Sequence, residues 1–103
     1  MKLLTNAEFE AEVLRSPLPV LVDFFTAHCG PCQRLVPVLE EVEREAAGRW
    51  KIVKVDAGAE GELAVRFHVN SVPVLLAFRG GQCVGQRPGA RNKQEVLAWL
   101  AEV

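Results

Sequence analysis

Val20-Leu21-Val22-Asp23-Phe24-Phe25 is followed, after three intervening residues, by Cys29-Gly30-Pro31-Cys32 and then by a long helical pattern. The first run lacks polar alternation and is rich in valine and phenylalanine, which predicts a central strand covered on both faces. Asp23 is the anomaly in it, because an unpaired buried carboxylate is costly and must protonate or find a partner. The two cysteines fall on a strand-to-helix turn. There the helix-terminal N–H groups and the positive end of the dipole favour a thiolate on the first, and the second lies one turn on, within reach to close a disulfide. That combination points to disulfide exchange.

Downstream of the cysteines, Leu35, Val36, Val38, Leu39, Val42, Ala46 and Ala47 recur at helical spacing among Glu40, Glu41, Glu43, Arg44 and Glu45. This predicts a helix over 31–47 with Gly48 as its cap and a kink at Pro37, whose ring and missing N–H disrupt one turn. Residues 50–56 read as a second strand, so the unit is strand-helix-strand, with parallel pairing and a right-handed crossover. Upstream, Thr5 and Glu8 stand at capping-box spacing and open a helix over 6–15, which Ser16-Pro17-Leu18-Pro19 ends. Further on, 60–67 suit a short helix, and Ser71-Val72-Pro73 leads into a strand over 74–78. Gly80-Gly81 signals a hairpin to an antiparallel strand over 82–86. Asn92 with Glu95 caps a last helix carrying Val96, Leu97, Trp99 and Leu100.

With 103 residues, half of them hydrophobic, the chain supports one core, and residues 1–103 read as one domain. Twelve basic against 13 acidic residues give a net charge of −1. Neither sign forms a block, so nothing favours nucleic acid or an anionic membrane surface. Three cysteines do not make the even framework of a small secreted protein, and the first eight residues lack the apolar stretch of a signal peptide. The expected compartment is the reducing cytoplasm. Asp23 interrupts the longest apolar run, far short of the ~20 residues of a membrane span. A zinc site normally needs four ligands, and beyond the cysteine pair only Cys83, His28 and His68 are soft candidates. No metal and no cofactor is expected, though a structural disulfide remains a bland reading of the pair.

Val22-Asp23-Phe24, Cys29-Gly30-Pro31-Cys32, Pro37, Lys54-Val55-Asp56, Ser71-Val72-Pro73, Gly80-Gly81 and Gly89 together resemble the thioredoxin family, in its order and spacing, over nearly the whole chain. The resemblance implies an α/β fold: a central five-stranded mixed sheet of order 1-3-2-4-5 flanked by four helices, with Pro73 following a cis peptide bond. It implies reduction of protein disulfides, Cys29 attacking the substrate as the thiolate and Cys32 attacking the mixed disulfide. Asp23 would stand behind Cys32 as proton acceptor, with Lys54 its neighbour. Val72 and Pro73 would pair with an extended substrate, on a surface that includes His28, Gly30, Pro31 and Gly89. Disulfide-containing proteins are the implied substrates and a thioredoxin-reductase-type protein the electron donor, with the chain a monomer. A binding or adaptor module on the same fold, or a donor dedicated to one enzyme, is the competing reading.

Departures from the family pattern fall near the cysteines. His28 stands where tryptophan usually precedes the first cysteine, Phe25 replaces another common tryptophan, and Val74 follows the proline where threonine is common. A protonated His28 would favour the Cys29 thiolate; the alternative is an exposed polar replacement for an aromatic platform. His68 occupies the place of a helix-ending glycine and reads as a surface cap. Cys83, in the 82–86 strand, reads as a small packed residue.

Overall fold

The computed structural model describes Met1–Val103. Its elements are β1 (Lys2–Leu3), α1 (Asn6–Phe9) running on into a π-helical segment (Glu10–Leu14), β2 (Val20–Phe25), α2 (Gly30–Glu45), β3 (Lys51–Asp56), α3 (Gly61–Arg66), β4 (Val74–Arg79), β5 (Gln82–Arg87) and α4 (Lys93–Glu102). The strands form one sheet in the order β1-β3-β2-β4-β5. β2 is parallel to β3 and antiparallel to β4, and the β4–β5 hairpin is antiparallel. The mixed five-stranded sheet implied by the family resemblance is therefore the observed one. No helix is long and apolar enough to cross a membrane.

The uninterrupted apolar character of β2 has a direct cause: both faces of the sheet are covered. Val20, Val22 and Phe24 enter one core layer with Phe9, Val13 and Leu63, from the first and third helices. Leu21 enters the other, with Leu35, Leu39 and Val42 of α2 and Val96 and Leu100 of α4. β4 divides likewise, Val74, Leu76 and Phe78 to the first layer and Leu75 and Ala77 to the second. Full burial of each such side chain contributes roughly 1.5–3 kcal/mol. Because side chains alternate across a strand, Asp23 shares the face of Leu21, and Lys54 that of Ile52. Both lie on the α2/α4 side.

Local chemistry explains the element ends. At α1 the Glu8 carboxylate accepts from the Thr5 N–H at 3.0 Å and from the Thr5 hydroxyl at 3.1 Å, so the hydroxyl donates to the carboxylate. The Asn92 side chain accepts from the Glu95 N–H at 3.0 Å, capping α4. The Gly80-Gly81 pair closes the predicted hairpin, with both residues at positive φ (56° and 83°). A Cβ on Gly81 would lie 2.9 Å from the Leu14 carbonyl oxygen, so this corner admits only glycine.

Three features depart from the sequence reading. The first helix is α-helical only over Asn6–Phe9; the Arg15 N–H then reaches back five residues to the Glu10 carbonyl at 2.9 Å. Within that widened turn the Lys51 ammonium takes the Glu12 carbonyl at 2.8 Å, a tertiary contact of the kind that opens a helical ladder. β1 was not legible, since two exposed residues pairing with Val53 and Lys54 carry no periodicity. Cys83 is exposed rather than packed. It lies on an edge strand, where the register shifts so that Ala77 faces Gly85 but Phe78 faces Cys83. The remaining elements match the expected ones to within one or two residues at their ends, and α2 runs through Pro37 as a single helix.

Candidate functional site

β2 ends at Phe25, and Thr26-Ala27-His28 carry the chain to Cys29, the N-cap of α2. Cys29 has extended backbone (φ −126°, ψ 106°), and its sulfur accepts a hydrogen bond from the Cys32 N–H at 3.1 Å. The first helical turn therefore aims an otherwise unpartnered N–H at Sγ of Cys29, where it would also stabilise a thiolate. Pro31 stands in that turn, where the N–H it lacks has no helical partner. Cys29 and Cys32 are joined as a disulfide with Cα atoms 5.2 Å apart. The two sulfurs are not equivalent: Cys29 is partly exposed, whereas Cys32 is 2 % exposed and packed in the core. A reagent from solution meets Cys29 first.

Asp23 lies beneath this turn. It is 1 % exposed, it is the one buried charged residue, and its Oδ1 has no hydrogen-bond partner. Lys54 is directly across in the parallel register. Burial pushes the Asp23 carboxyl up from 3.8 to about 7, while the positive charge of Lys54 pulls in the opposite direction and only partly offsets it. Lys54 Nζ also stands 5.8 Å from the centroid of the Phe25 ring. Asp23, Lys54, Phe25 and Cys32 line one cavity of about 130 Å³, so the carboxyl and the buried sulfur share a space large enough to admit water.

Beside the dithiol, the Val72–Pro73 peptide bond is cis, and both residues are half-buried. Gly89, at φ 126°, brings its backbone against the proline ring; a Cβ there would lie 3.5 Å from Pro73 Cγ. A groove of about 550 Å³ opens between Pro31, Arg34, Pro73 and Gly89. A second, of about 220 Å³, lies between Thr26, Ala57, Val69 and Val72. The Val72-Pro73 segment thus stands between two grooves at the mouth of the cysteine pair. His28 and Gly30 are exposed on the same turn.

The sequence candidates Asp23, Cys29, Cys32 and Lys54 come together at one pole, with Pro31, Pro73 and Gly89 on the adjoining groove. His68 and Cys83 stand elsewhere, His68 just past α3 with φ 58°. No three His, Cys, Asp or Glu side chains gather as a metal-holding group. Sequence reasoning passed over Arg34, which lines the larger groove. Its place one helical turn after Gly30 was the available signal.

A cysteine pair at a helix N-terminus, one residue accessible and the other buried on a cavity it shares with an unpaired carboxyl, defines a dithiol–disulfide exchange protein. The family model described as thioredoxin matches residues 1–102. Thioredoxin C-2 of Corynebacterium nephridii is 42% identical over 96 residues, covering 93% of this chain and 89% of the relative. The thioredoxin of Mycobacterium bovis is 42% identical over 99 residues, 96% of this chain and 85% of the relative. A bifunctional thioredoxin reductase/thioredoxin of Mycobacterium leprae matches with 42% identity over 96% of this chain but only 22% of its own length. The chain belongs to the thioredoxin family. It is a thiol–disulfide oxidoreductase that reduces protein disulfides through the Cys29–Cys32 pair.

Proposed function

We propose that Cys29 is the attacking thiol, Cys32 the resolving thiol and Asp23 the proton acceptor, with burial raising the Asp23 carboxyl and Lys54 partly offsetting that rise. The observation that carries this assignment is the asymmetry of the pair: a partly exposed sulfur that accepts a helix N–H, and a buried cysteine that lines the same cavity as the orphaned carboxyl. In the reduced protein the Cys29 thiolate attacks one sulfur of a substrate disulfide. An S–S bond forms between enzyme and substrate, the substrate's own S–S bond breaks, and the first substrate thiolate leaves and takes a proton from solvent. Cys32 then loses its proton to Asp23 and attacks the Cys29 sulfur. The mixed disulfide breaks, the second substrate sulfur departs as a thiolate and takes a proton from solvent, and two electrons have passed to the substrate, leaving the Cys29–Cys32 disulfide.

Val72 and Pro73 would hold an extended substrate segment by its backbone, with His28, Gly30, Pro31 and Gly89 forming the surface around it. Returning the pair to the dithiol needs a two-electron donor. The relative that joins a thioredoxin reductase to a thioredoxin in one chain supports a reductase of that class. We take residues 1–103 as one domain acting as a monomer in a reducing cytoplasm, where an exposed free thiol such as Cys83 persists.

The test is turnover of a generic protein disulfide with a small dithiol as electron source. Cys29→Ser is expected to abolish turnover and form no mixed disulfide, whereas Cys32→Ser loses turnover but accumulates a mixed disulfide through Cys29. Trapping through Cys32 in the Cys29→Ser variant, or equal turnover by wild type and Cys29→Ser, would overturn the assignment. In the second case an adaptor role gains.

A further inference from the structure

We infer that Arg34 makes this protein selective for disulfides flanked by an acidic side chain. The inference rests on Cys29 as the attacking thiol and Val72-Pro73 as the segment that pairs with substrate. Arg34 sits on the exposed face of α2, two residues past Cys32. Helical side chains lean toward the N-terminus, and this one does so fully: its Nη1 is 3.3 Å from the position a Cβ on Gly30 would occupy. The guanidinium therefore hangs over the turn that presents the dithiol, on the wall of the larger groove shared with Pro31, Pro73 and Gly89.

Arg34 enters no ion pair: its helical neighbours three and four residues away are Gly30, Pro31, Pro37 and Val38, none of them acidic, and Glu95, the carboxylate that lines its groove, is engaged elsewhere. Glu95 binds Arg87 at 3.5 Å and Arg91 at 2.9 Å, and Lys93 lies 3.9 Å from Glu41 and 2.9 Å from Glu45. Arg34 and Arg91 thus line the groove against a single carboxylate, Glu95, which already serves two cations. The whole chain carries a net charge of −1, so the positive character is local. The groove on the other side of Val72 is lined by Thr26, Ala57, Gly58, Ala64, Val69, Asn70 and Ser71 and has no ionisable side chain. A substrate crossing Val72-Pro73 meets a cation on one arm and neutral small residues on the other. A carboxylate on the first arm can accept two parallel N–H bonds from the free guanidinium.

The test is a set of disulfide peptides that differ only in Asp, Asn or Lys at neighbouring positions on each side of the reactive cysteine, reduced with a small dithiol as electron source. In low salt, wild type is expected to show kcat/KM about three- to fivefold higher for Asp than for Asn on one side only, with Lys lowest. The preference should fade in about 1 M salt, where the Debye length is ~3 Å. Arg34→Gln should bring the Asp:Asn ratio to about one, Arg34→Glu should invert it, and Arg34→Lys should restore part of it. Arg15→Gln, which makes the same change of net charge on the first helix, should leave the ratio as in wild type. Equal rates for all peptides with wild type, a preference that survives Arg34→Gln, or an equal loss in Arg15→Gln would each overturn the inference while leaving disulfide exchange intact. If wild type reduces none of the peptides, the exchange assignment falls and the inference with it.

Discussion

Asp23 carries the highest stake of any single residue, because its chemistry and its energetic burden are the same property. An unfolded-chain aspartate titrates near 3.9, whereas burial holds Asp23 up at about 7. Between those values the native state binds more protons than the unfolded state, so stability falls as pH rises from about 4 through 7. The rise to about 7 corresponds to roughly 4 kcal/mol, lost in full only above the native value. Asp23→Asn removes this dependence. Urea denaturation should show its advantage over wild type to be larger at pH 8 than at pH 5 by ~2–4 kcal/mol; an equal difference at both pH values would mean that Asp23 ionises like an ordinary carboxyl. In wild type the resolution of a trapped mixed disulfide should accelerate through about pH 7, and in Asp23→Asn it should be slow and flat. Because Lys54 pulls the carboxyl down, Lys54→Gln should move that midpoint upward, which the same pH–rate profile measures.

At the scale of elements, the helix ends hold the site and also carry its local strain. The α4 cap is a single bond from Glu95 N–H to Asn92 Oδ1, and Asn92→Ala should cost about 1 kcal/mol. The same helix start sets Glu95 between Arg87 and Arg91, so the loss of the cap should also loosen the wall of the larger groove. His68 follows α3 at φ 58°, a left-handed conformation that costs an L-residue roughly 1–2 kcal/mol. His68→Gly removes that cost but adds unfolded-state entropy, and a net gain of about 0.5–1 kcal/mol is expected in denaturant titration. A loss would mean that the imidazole makes a stabilising contact which outweighs its backbone strain.

Across the whole molecule, the sheet separates two apolar layers that share no side chain. Val42→Ala in one layer and Phe78→Leu in the other should therefore destabilise additively, within about 0.5 kcal/mol. Phe9 and Phe78 lie in the same layer with ring centroids 5.7 Å apart, and Phe67 completes the cluster at 5.3 Å from each. Phe9→Leu combined with Phe78→Leu should deviate from additivity by about 0.5–1.5 kcal/mol. Double-mutant cycles on equilibrium unfolding measure both. The division matters for function because Asp23 and Lys54 lie on the α2/α4 side. Repacking the α1/α3 layer should change stability with little change in the acidity of Asp23.

The strand β2, the hairpin, the α4 cap and the cysteine turn were legible in the sequence because each rests on local rules: uninterrupted apolar character, paired glycines, a capping asparagine, and two thiols one helical turn apart. Asp23 was legible as an anomaly for the same reason, a charge in a run that must be buried. The acidity of that carboxyl was not, since it depends on Lys54 in parallel register across the sheet and on a cavity walled by α2. The π-helical turn depends on Lys51, 39 residues away from Glu12 in sequence, and the exposure of Cys83 on its strand being an edge with a shifted register. The free guanidinium over the dithiol likewise depends on residues distant in the chain, since Glu95 of α4, the carboxylate lining its groove, is already engaged by Arg87 and Arg91. Local pattern determined which elements form and where the sulfurs stand. Only tertiary packing decided which charges are buried, which are paired and which are left facing a substrate, because those depend on residues that chain distance keeps apart.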